Sequence, residues 1–376
     1  MRFAIVGCGF VADLYMKTLC AHPRLEVVGA TDRDLERATR FGSFHGVATY
    51  PSLDALLADP KVDIVLNLTN PKSHFDVTRA SLEAGKHVYS EKPLGLELAQ
   101  AQHVTELAER RGLRLSSAPC SLLGETAQTV WKALRDERVG RVYLVYAEQD
   151  EGLVHRMPYR HWLSPSGVPW PYQDEFETGC TIEHAGYYLT WLPAFFGPAR
   201  RVTAFSSCQV RDKGPGLPPE ASAPDFSVAA IEFASGVVCR LTCSVIANHD
   251  HSLRIFGEAG ILRTNDCWHY GSPVTIQRRF NIRRRAVVSP WKSRIPPVRK
   301  WDPPFHYRGA QQMDFCRGVA ELADSLEENR PCRLSARYSL HVNELVLAIS
   351  GAGAGISKEI TSTFDPIEPM PWASPA

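Results

Sequence analysis

The sequence predicts an α/β protein of two domains: a doubly wound parallel sheet, then an α+β domain on a large, mostly antiparallel sheet. Three observations predict it. The chain has 376 residues, more than one ordinary core uses. Its first third alternates short apolar runs with amphipathic stretches. Beyond about residue 120 the apolar pattern changes to alternation with period two.

The apolar runs are Phe3–Val6, Leu25–Ala30, Val62–Leu68, His87–Ser90 and Leu113–Ser117. Helix-like stretches separate or follow them at Ala12–Ala21, Asp34–Phe41, Leu53–Ala58, Ser73–Ala84 and Glu97–Arg110. Runs that are apolar on consecutive residues suit strands covered on both faces, and strand–helix alternation suits a parallel sheet. A first domain over 1–119 follows. In the remainder, 120–376, Thr126–Asp136 reads as a helix. Arg141–Glu148, Arg201–Ser206, Phe226–Phe233, Val237–Ile246, Ser252–Phe256 and Gly260–Thr264 read as strands. Ala234-Ser235-Gly236 is a hairpin-like connection. Val237, Cys239, Leu241, Cys243 and Val245 share one face of their strand, and Arg240, Thr242 and Ser244 share the other. Gly214–Pro224 reads as a loop and the tail after Pro366 as loose chain. Val342, Leu345, Val346 and Ile349 have helical spacing, so a helix near 340–351 is expected to return onto the first domain.

Composition narrows the function classes. Hydrophobic residues at 44% and charged residues at 22% are ordinary for a soluble globular chain. A formal net charge of +1 gives no support to nucleic-acid or membrane binding. Ten cysteines form no C-x-x-C pair and read as reduced thiols. No apolar run is long enough to cross a bilayer, and the first strand begins at about Phe3, leaving no room for a leader. A cytoplasmic location is therefore expected. His249-Asp250-His251 looks like a metal triad, but neighbouring residues in an extended stretch alternate faces, so no metal is expected. Arg278–Lys300 carries nine Lys/Arg and no acid. It reads as a solvated loop or subunit contact, or as a cover favouring an anionic or nucleotide-linked substrate.

The chemistry begins at Phe3-Ala4-Ile5-Val6, which runs into Gly7-Cys8-Gly9-Phe10-Val11-Ala12. This is G-x-G-x-x-A, a dinucleotide fingerprint placed between a strand and a helix. Gly7 permits the tight turn, Gly9 the close approach of a pyrophosphate, and Ala12 the packing of helix on sheet. The helix start at Phe10 and Val11 offers free N–H groups to phosphates. Asp32 stands 20 residues after Ala12, at the end of the second strand, where a carboxylate binds ribose hydroxyls. Its charge repels a 2′-phosphate and favours NAD over NADP. Arg33, beside it, is the residue a 2′-phosphate would use instead.

Two further segments complete a pattern. The third run ends in Asn67-Leu68-Thr69-Asn70-Pro71 with His74 beyond it, and the fourth in Ser90-Glu91-Lys92-Pro93. This order resembles the glucose–fructose oxidoreductase / inositol dehydrogenase / rhizopine-catabolism (Gfo/Idh/MocA) family, over essentially the whole chain. The resemblance implies a Rossmann domain with cofactor contacts from Thr69, Asn70, His74, Glu91 and Lys92. It implies that Lys92 is aimed at the nicotinamide and the substrate hydroxyl. An ammonium there steadies the charge that develops on oxygen as hydride leaves the carbon. The family's Asp-x-x-x-His element appears after Gly179 as Glu183 and Tyr187, with Glu for Asp and Tyr for His. The i, i+4 spacing puts both on one helix face, and His184 is the alternative proton-transfer residue. Arg156, Tyr159, Arg160 and Trp162 precede that helix and read as a substrate wall suited to a sugar or cyclitol. The resemblance also implies a homodimer or homotetramer through the C-terminal sheet. The function expected is hydride transfer between a secondary alcohol of a sugar, cyclitol or glycoside and a nicotinamide cofactor. Two alternatives stay open: NAD-dependent glycoside cleavage by transient oxidation and elimination, and a non-catalytic NAD-binding regulator. Lys92 and the Glu183/Tyr187 pair argue against the regulator.

Overall fold

The computed structural model describes residues 1–214, 223–307 and 312–374. The chain divides into two compact units. The first takes residues 1–120 together with 158–178 and 314–347, and the second takes 121–157, 179–313 and 348–376.

The first unit is built on a parallel five-stranded sheet: β1 (Arg2–Val6), β2 (Glu26–Thr31), β3 (Ile64–Asn67), β4 (His87–Ser90) and β5 (Leu115–Ser117). Their order across the sheet is β2-β1-β3-β4-β5. The chain moves outward from β1 on one side, then returns to the other, so the strand order reverses beside β1. That is the switch point at which doubly wound sheets bind ligands. All of β3 and all but Arg2 of β1 are buried, which is why these strands read as unbroken apolar runs. The intervening helices are α1 (Phe10–Leu19), α2 (Leu35–His45), α3 (Leu53–Ala58), α4 (His74–Glu83) and α5 (Leu98–Arg110). Asp34 caps α2 by accepting from Arg37 N, and Gly46 ends it at φ 68°. Glu97 and Gln100 form a capping box on α5. The helix α10 (Arg317–Glu327) and most of α11 (Ala336–Ser350) also belong to this unit. Asn343 of α11 brackets Gly95, its Nδ2 donating to the carbonyl and its Oδ1 accepting the N–H.

The second unit carries the helix α6 (Glu125–Arg135) and a mostly antiparallel sheet. Its strands are β6 (Val142–Asp150), β7 (Ala199–Ser207), β8 (Phe226–Phe233), β9 (Val238–Ser244), β10 (Leu253–Gly257), β11 (Gly260–Thr264), β12 (Thr275–Ile282), β13 (Arg285–Val288), β14 (Ser293–Arg294) and β15 (Ile356–Glu359). The order is β13-β12-β11-β10-β6-β9-β8-β7-β15, with β14 also on β12. Among the described residues only the strands β6 and β9 of this sheet pair in parallel. The period-two face Val237, Cys239, Leu241, Cys243 and Val245 is buried throughout. Gly236 turns the β8–β9 hairpin at φ 84°.

Two sequence expectations change here. The basic stretch from Arg278 is not simply a loop: Arg279–Ile282 pairs with Arg285–Val288 around Arg283 and Arg284, both at positive φ. The consecutive arginines hid the strand pattern. The tail after Pro366 is anchored rather than loose through 374: Arg135 donates to the Ala373 carbonyl, Met370 N donates to Gln128 Oε1, and Arg299 stacks on Trp372 at 4.3 Å. Most of Gly214–Pro224, read as a loop, lies outside the described residues. Among the described residues no helix is long and apolar enough to cross a membrane.

Gly318 of α10 offers a test of the first unit's packing. A β-carbon there would overlap the hydroxyl and ring of Tyr89, which is fully buried in β4. Helix propensity alone favours Gly318→Ala by about 1 kcal/mol. Overpacking against a buried ring costs about 1–3 kcal/mol. Chemical denaturation should show net destabilisation; a gain in stability would mean that the Tyr89 ring yields.

Candidate active site

In the first unit, β1 delivers the chain to Gly7 at φ 99°, where a β-carbon would stand 2.5 Å from the Leu68 carbonyl oxygen. A backbone carbonyl cannot step aside, so the position needs glycine. At Gly9 a β-carbon would meet nothing within 4 Å, leaving open space beside the backbone. Gly9 N-caps α1 without a side-chain hydrogen bond. The helix therefore begins at Phe10 and Val11 with donors available to an anion. Ala12 is fully buried, as close packing of α1 requires.

Asp32 closes the other side of this turn. Its Oδ2 accepts from Cys8 N at 2.8 Å and its Oδ1 from Asp34 N at 2.9 Å. Arg37 Nη1 lies 3.6 Å from Oδ2, while Arg33 is exposed. The carboxylate thus fixes the glycine turn and the start of α2 as well as standing where a ribose would lie. These features fit a dinucleotide: an uncapped helix start, room at Gly9 and a carboxylate at the end of β2.

The segments after β3 and β4 are tied together by buried polar side chains. Asn67 is fully buried; its Nδ2 donates to His74 O and Thr78 Oγ1, and its Oδ1 accepts from the N–H and hydroxyl of Thr69. His74 is also buried, with Nδ1 at 2.7 Å from the Pro93 carbonyl and Nε2 at 2.9 Å from that of Thr69. Burial pushes its pKa down despite the two carbonyls. Both ring nitrogens are therefore spent on the protein, so His74 positions the two segments and does not itself offer a nitrogen to a cofactor. Asn70 Oδ1 is buried and has no partner. Glu91 is buried, accepting from Tyr15 Oη at 2.7 Å and from Lys92 N at 3.1 Å. It anchors β4's end to α1. Lys92 is half-buried and its bond to Pro93 is cis.

The segment 158–178 belongs to this unit. Ser166 donates to Asp13 Oδ2 from its N–H at 3.0 Å and its hydroxyl at 2.7 Å, and His45 Nε2 meets Asp13 Oδ1 at 2.5 Å. Burial raises the Asp13 carboxyl, but these partners outweigh it and hold the pKa low. Tyr159 is buried among Trp170, Tyr172 and Phe176, so it is core and not a ligand surface. Arg160 is exposed above Tyr172, and Trp162 is half-exposed against Trp170.

In the second unit, Arg156 is exposed. Gly179 turns at φ 93° into a π-helical turn, Thr181–Ala185, followed by α8 (Gly186–Leu189). Glu183 is half-exposed, while Tyr187 is buried with its ring edge-on to Trp268 at 5.2 Å. Ser121 Oγ donates to Tyr187 O and accepts from Trp191 Nε1, fixing the helix. His184 Nδ1 stands 3.0 Å from Glu151 Oε1. Burial favours the neutral Glu151, but His184 and His251 outweigh it and keep the carboxyl ionised. Burial likewise opposes charge on His251, yet Asp266 and Glu151 raise its pKa to about 9. Glu151 and Asp266 carry no motif signal in sequence, and 100 residues separate Glu151 from His251.

Both units are similar to known proteins. Residues 1–118 match the family model described as "Oxidoreductase family, NAD-binding Rossmann fold", and residues 127–263 match the GFO/IDH/MocA C-terminal domain. An uncharacterized oxidoreductase of Synechocystis is 25% identical over 91% of each chain. The trans-1,2-dihydrobenzene-1,2-diol dehydrogenase of Bos taurus is 25% identical over 71% of this chain and 75% of its own. KijD10, a 3-ketoreductase from Actinomadura kijaniata solved with NADP and TDP-benzene, shares the fold with a TM-score of 0.72. It is 22% identical over 94% of this chain and 98% of its own.

The Tyr15–Glu91 bond carries a measurable part of this arrangement. Tyr15→Phe leaves a buried carboxylate oxygen without its donor, and hydrogen bonds to charged groups are worth about 1.5–3 kcal/mol. Urea denaturation at neutral pH should show a loss of that size. Unchanged stability would mean that Glu91 is held by other contacts.

Proposed function

The chain belongs to the GFO/IDH/MocA family of NAD(P)-binding oxidoreductases, and from that premise we propose that it transfers a hydride between a secondary alcohol of a sugar or cyclitol and NAD. The observation that carries the reading is Lys92: a half-buried lysine at the end of β4, on a segment fixed by Glu91 behind it and by His74 at Pro93.

A nicotinamide dinucleotide, when bound, supplies the hydride acceptor. Gly7, Gly9 and the start of α1 at Phe10, Val11 and Ala12 bind its phosphates. Thr69 and Asn70 border the nicotinamide half, with the unpartnered Asn70 Oδ1 as an acceptor. Lys92 Nζ binds the carbinol oxygen and steadies its charge as the C–H bond breaks. In the second unit the family resemblance assigns proton transfer to Tyr187 and a substrate contact to Glu183. His184, engaged with Glu151, orients this helix. Arg156, Arg160 and Trp162 are candidate substrate contacts. The dehydrogenase and ketoreductase names of the relatives support chemistry at a CH–OH carbon.

NAD is favoured over NADP because Asp32 stands at the ribose position with its charge facing any 2′-phosphate. The NADP in KijD10 marks the competing choice, for which Arg33 and Arg37 would be the partners. Exposed Tyr143, Phe205 and Ile356 on the large sheet support self-association through that unit.

Cofactor reduction over a panel of sugars, inositols and glycosides tests the reaction. Wild type should produce NADH steadily with at least one polyol. Lys92→Ala should keep NAD binding and lose turnover by at least a hundredfold; surviving turnover would overturn the assignment. Separately, Asp32→Ala should weaken NAD more than NADP, whereas equal loss of both would undo the ribose argument.

A further inference from the structure

Outside the residues assigned to hydride transfer, the second unit gathers histidines and a carboxylate on one side of a short strand pairing. Asp150 and Asp250 exchange backbone hydrogen bonds at 3.0 and 2.9 Å, an antiparallel bridge that continues the β6–β10 pairing. Side chains alternate across such a pairing. Residues on either side of the bridge therefore project together: Gln149 and Glu151 from one strand, His249 and His251 from the other. The three in His249-Asp250-His251 do alternate, but the outer two share a face, and Glu151 supplies the third ligand.

We propose that Glu151, His249 and His251 form a binding site for one divalent transition-metal ion of the zinc type. Their ligand atoms all lie within 4.8 Å of one another. Glu151 Oε1 and His251 Nε2 are 3.1 Å apart, close to the separation that bonds of about 2.1 Å give around a tetrahedral ion. His249 is exposed, so its ring closes the remaining gap by a rotamer adjustment and leaves the fourth position open to water. The set of two imidazoles and a carboxylate suits zinc or cobalt.

A second observation points the same way. His251 is fully buried, and its Nδ1 has no hydrogen-bond partner, although Asp266 Oδ1 faces it at 3.5 Å. Histidines that hold metals direct their other ring nitrogen at a carboxylate in this way. The carboxylate is itself fixed, accepting from Trp268 N at 2.7 Å. Cys267 also neighbours His251, but its buried thiol is engaged in donating to Gln149 Oε1 at 3.2 Å. His184 contacts Glu151 from the helix that carries Tyr187, so an ion here would fix that helix start to the end of β6.

The test uses the full chain stripped with a chelator and titrated with Co²⁺ in visible absorption. One equivalent should give the intense d–d bands of a tetrahedral nitrogen–oxygen site, and Zn²⁺ should displace them. His249→Ala removes an exposed ligand without touching the core and should abolish the bands. Asp266→Asn should weaken cobalt by roughly 10- to 100-fold. His103→Ala, an exposed histidine elsewhere, should change nothing. Absence of bands in wild type, or bands that survive His249→Ala, would overturn the proposal.

Discussion

At Gly7 two backbone segments come so close that a β-carbon would lie 2.5 Å from the Leu68 carbonyl. The rest of the first unit depends on that approach. It brings β1 and the end of β3 together at the switch point of the sheet, so that the segments after both strands face the same opening. Asp32 then holds the turn by accepting from Cys8 N. One carboxylate thereby ties the glycine turn to the end of β2. A residue with a side chain at position 7 would separate the two.

Buried polar groups carry this arrangement outward. Asn67, His74, Glu91 and Tyr15 are all nearly inaccessible, and each has its hydrogen-bonding atoms engaged. Such groups cost free energy when left unpaired, so a satisfied set admits few alternative geometries. Lys92 inherits that rigidity through its neighbours on both sides. A comparable set in the second unit surrounds Glu151, where opposite charges replace neutral hydrogen bonds. The same carboxylate that meets His184 also faces His251, so changes at either histidine reach the helix of Tyr187.

Much of the fold was legible because burial on two faces leaves an unbroken apolar run, and β1 and β3 are such strands. The fingerprint was legible because its residues are consecutive and each has a steric reason. Features set by long-range packing were not. Tyr159 looked like a pocket wall, yet it fills an aromatic core within a segment pinned by Asp13, more than a hundred residues earlier in sequence. The π-helical turn at Thr181–Ala185 has no composition signal. The hairpin through Arg283 and Arg284 was masked by charge. His249 and His251 were judged against their immediate neighbour, whereas Glu151 reaches them through strand pairing.

The central claim is that net oxidation of a carbinol, with the cofactor as final acceptor, is the reaction this chain performs. Deuterium tracing tests it most directly. With a substrate deuterated at the oxidised carbon, the account predicts one deuterium on the nicotinamide ring for every molecule of ketone formed. Cleaved product that carries the deuterium back, with no labelled reduced cofactor accumulating, would contradict it.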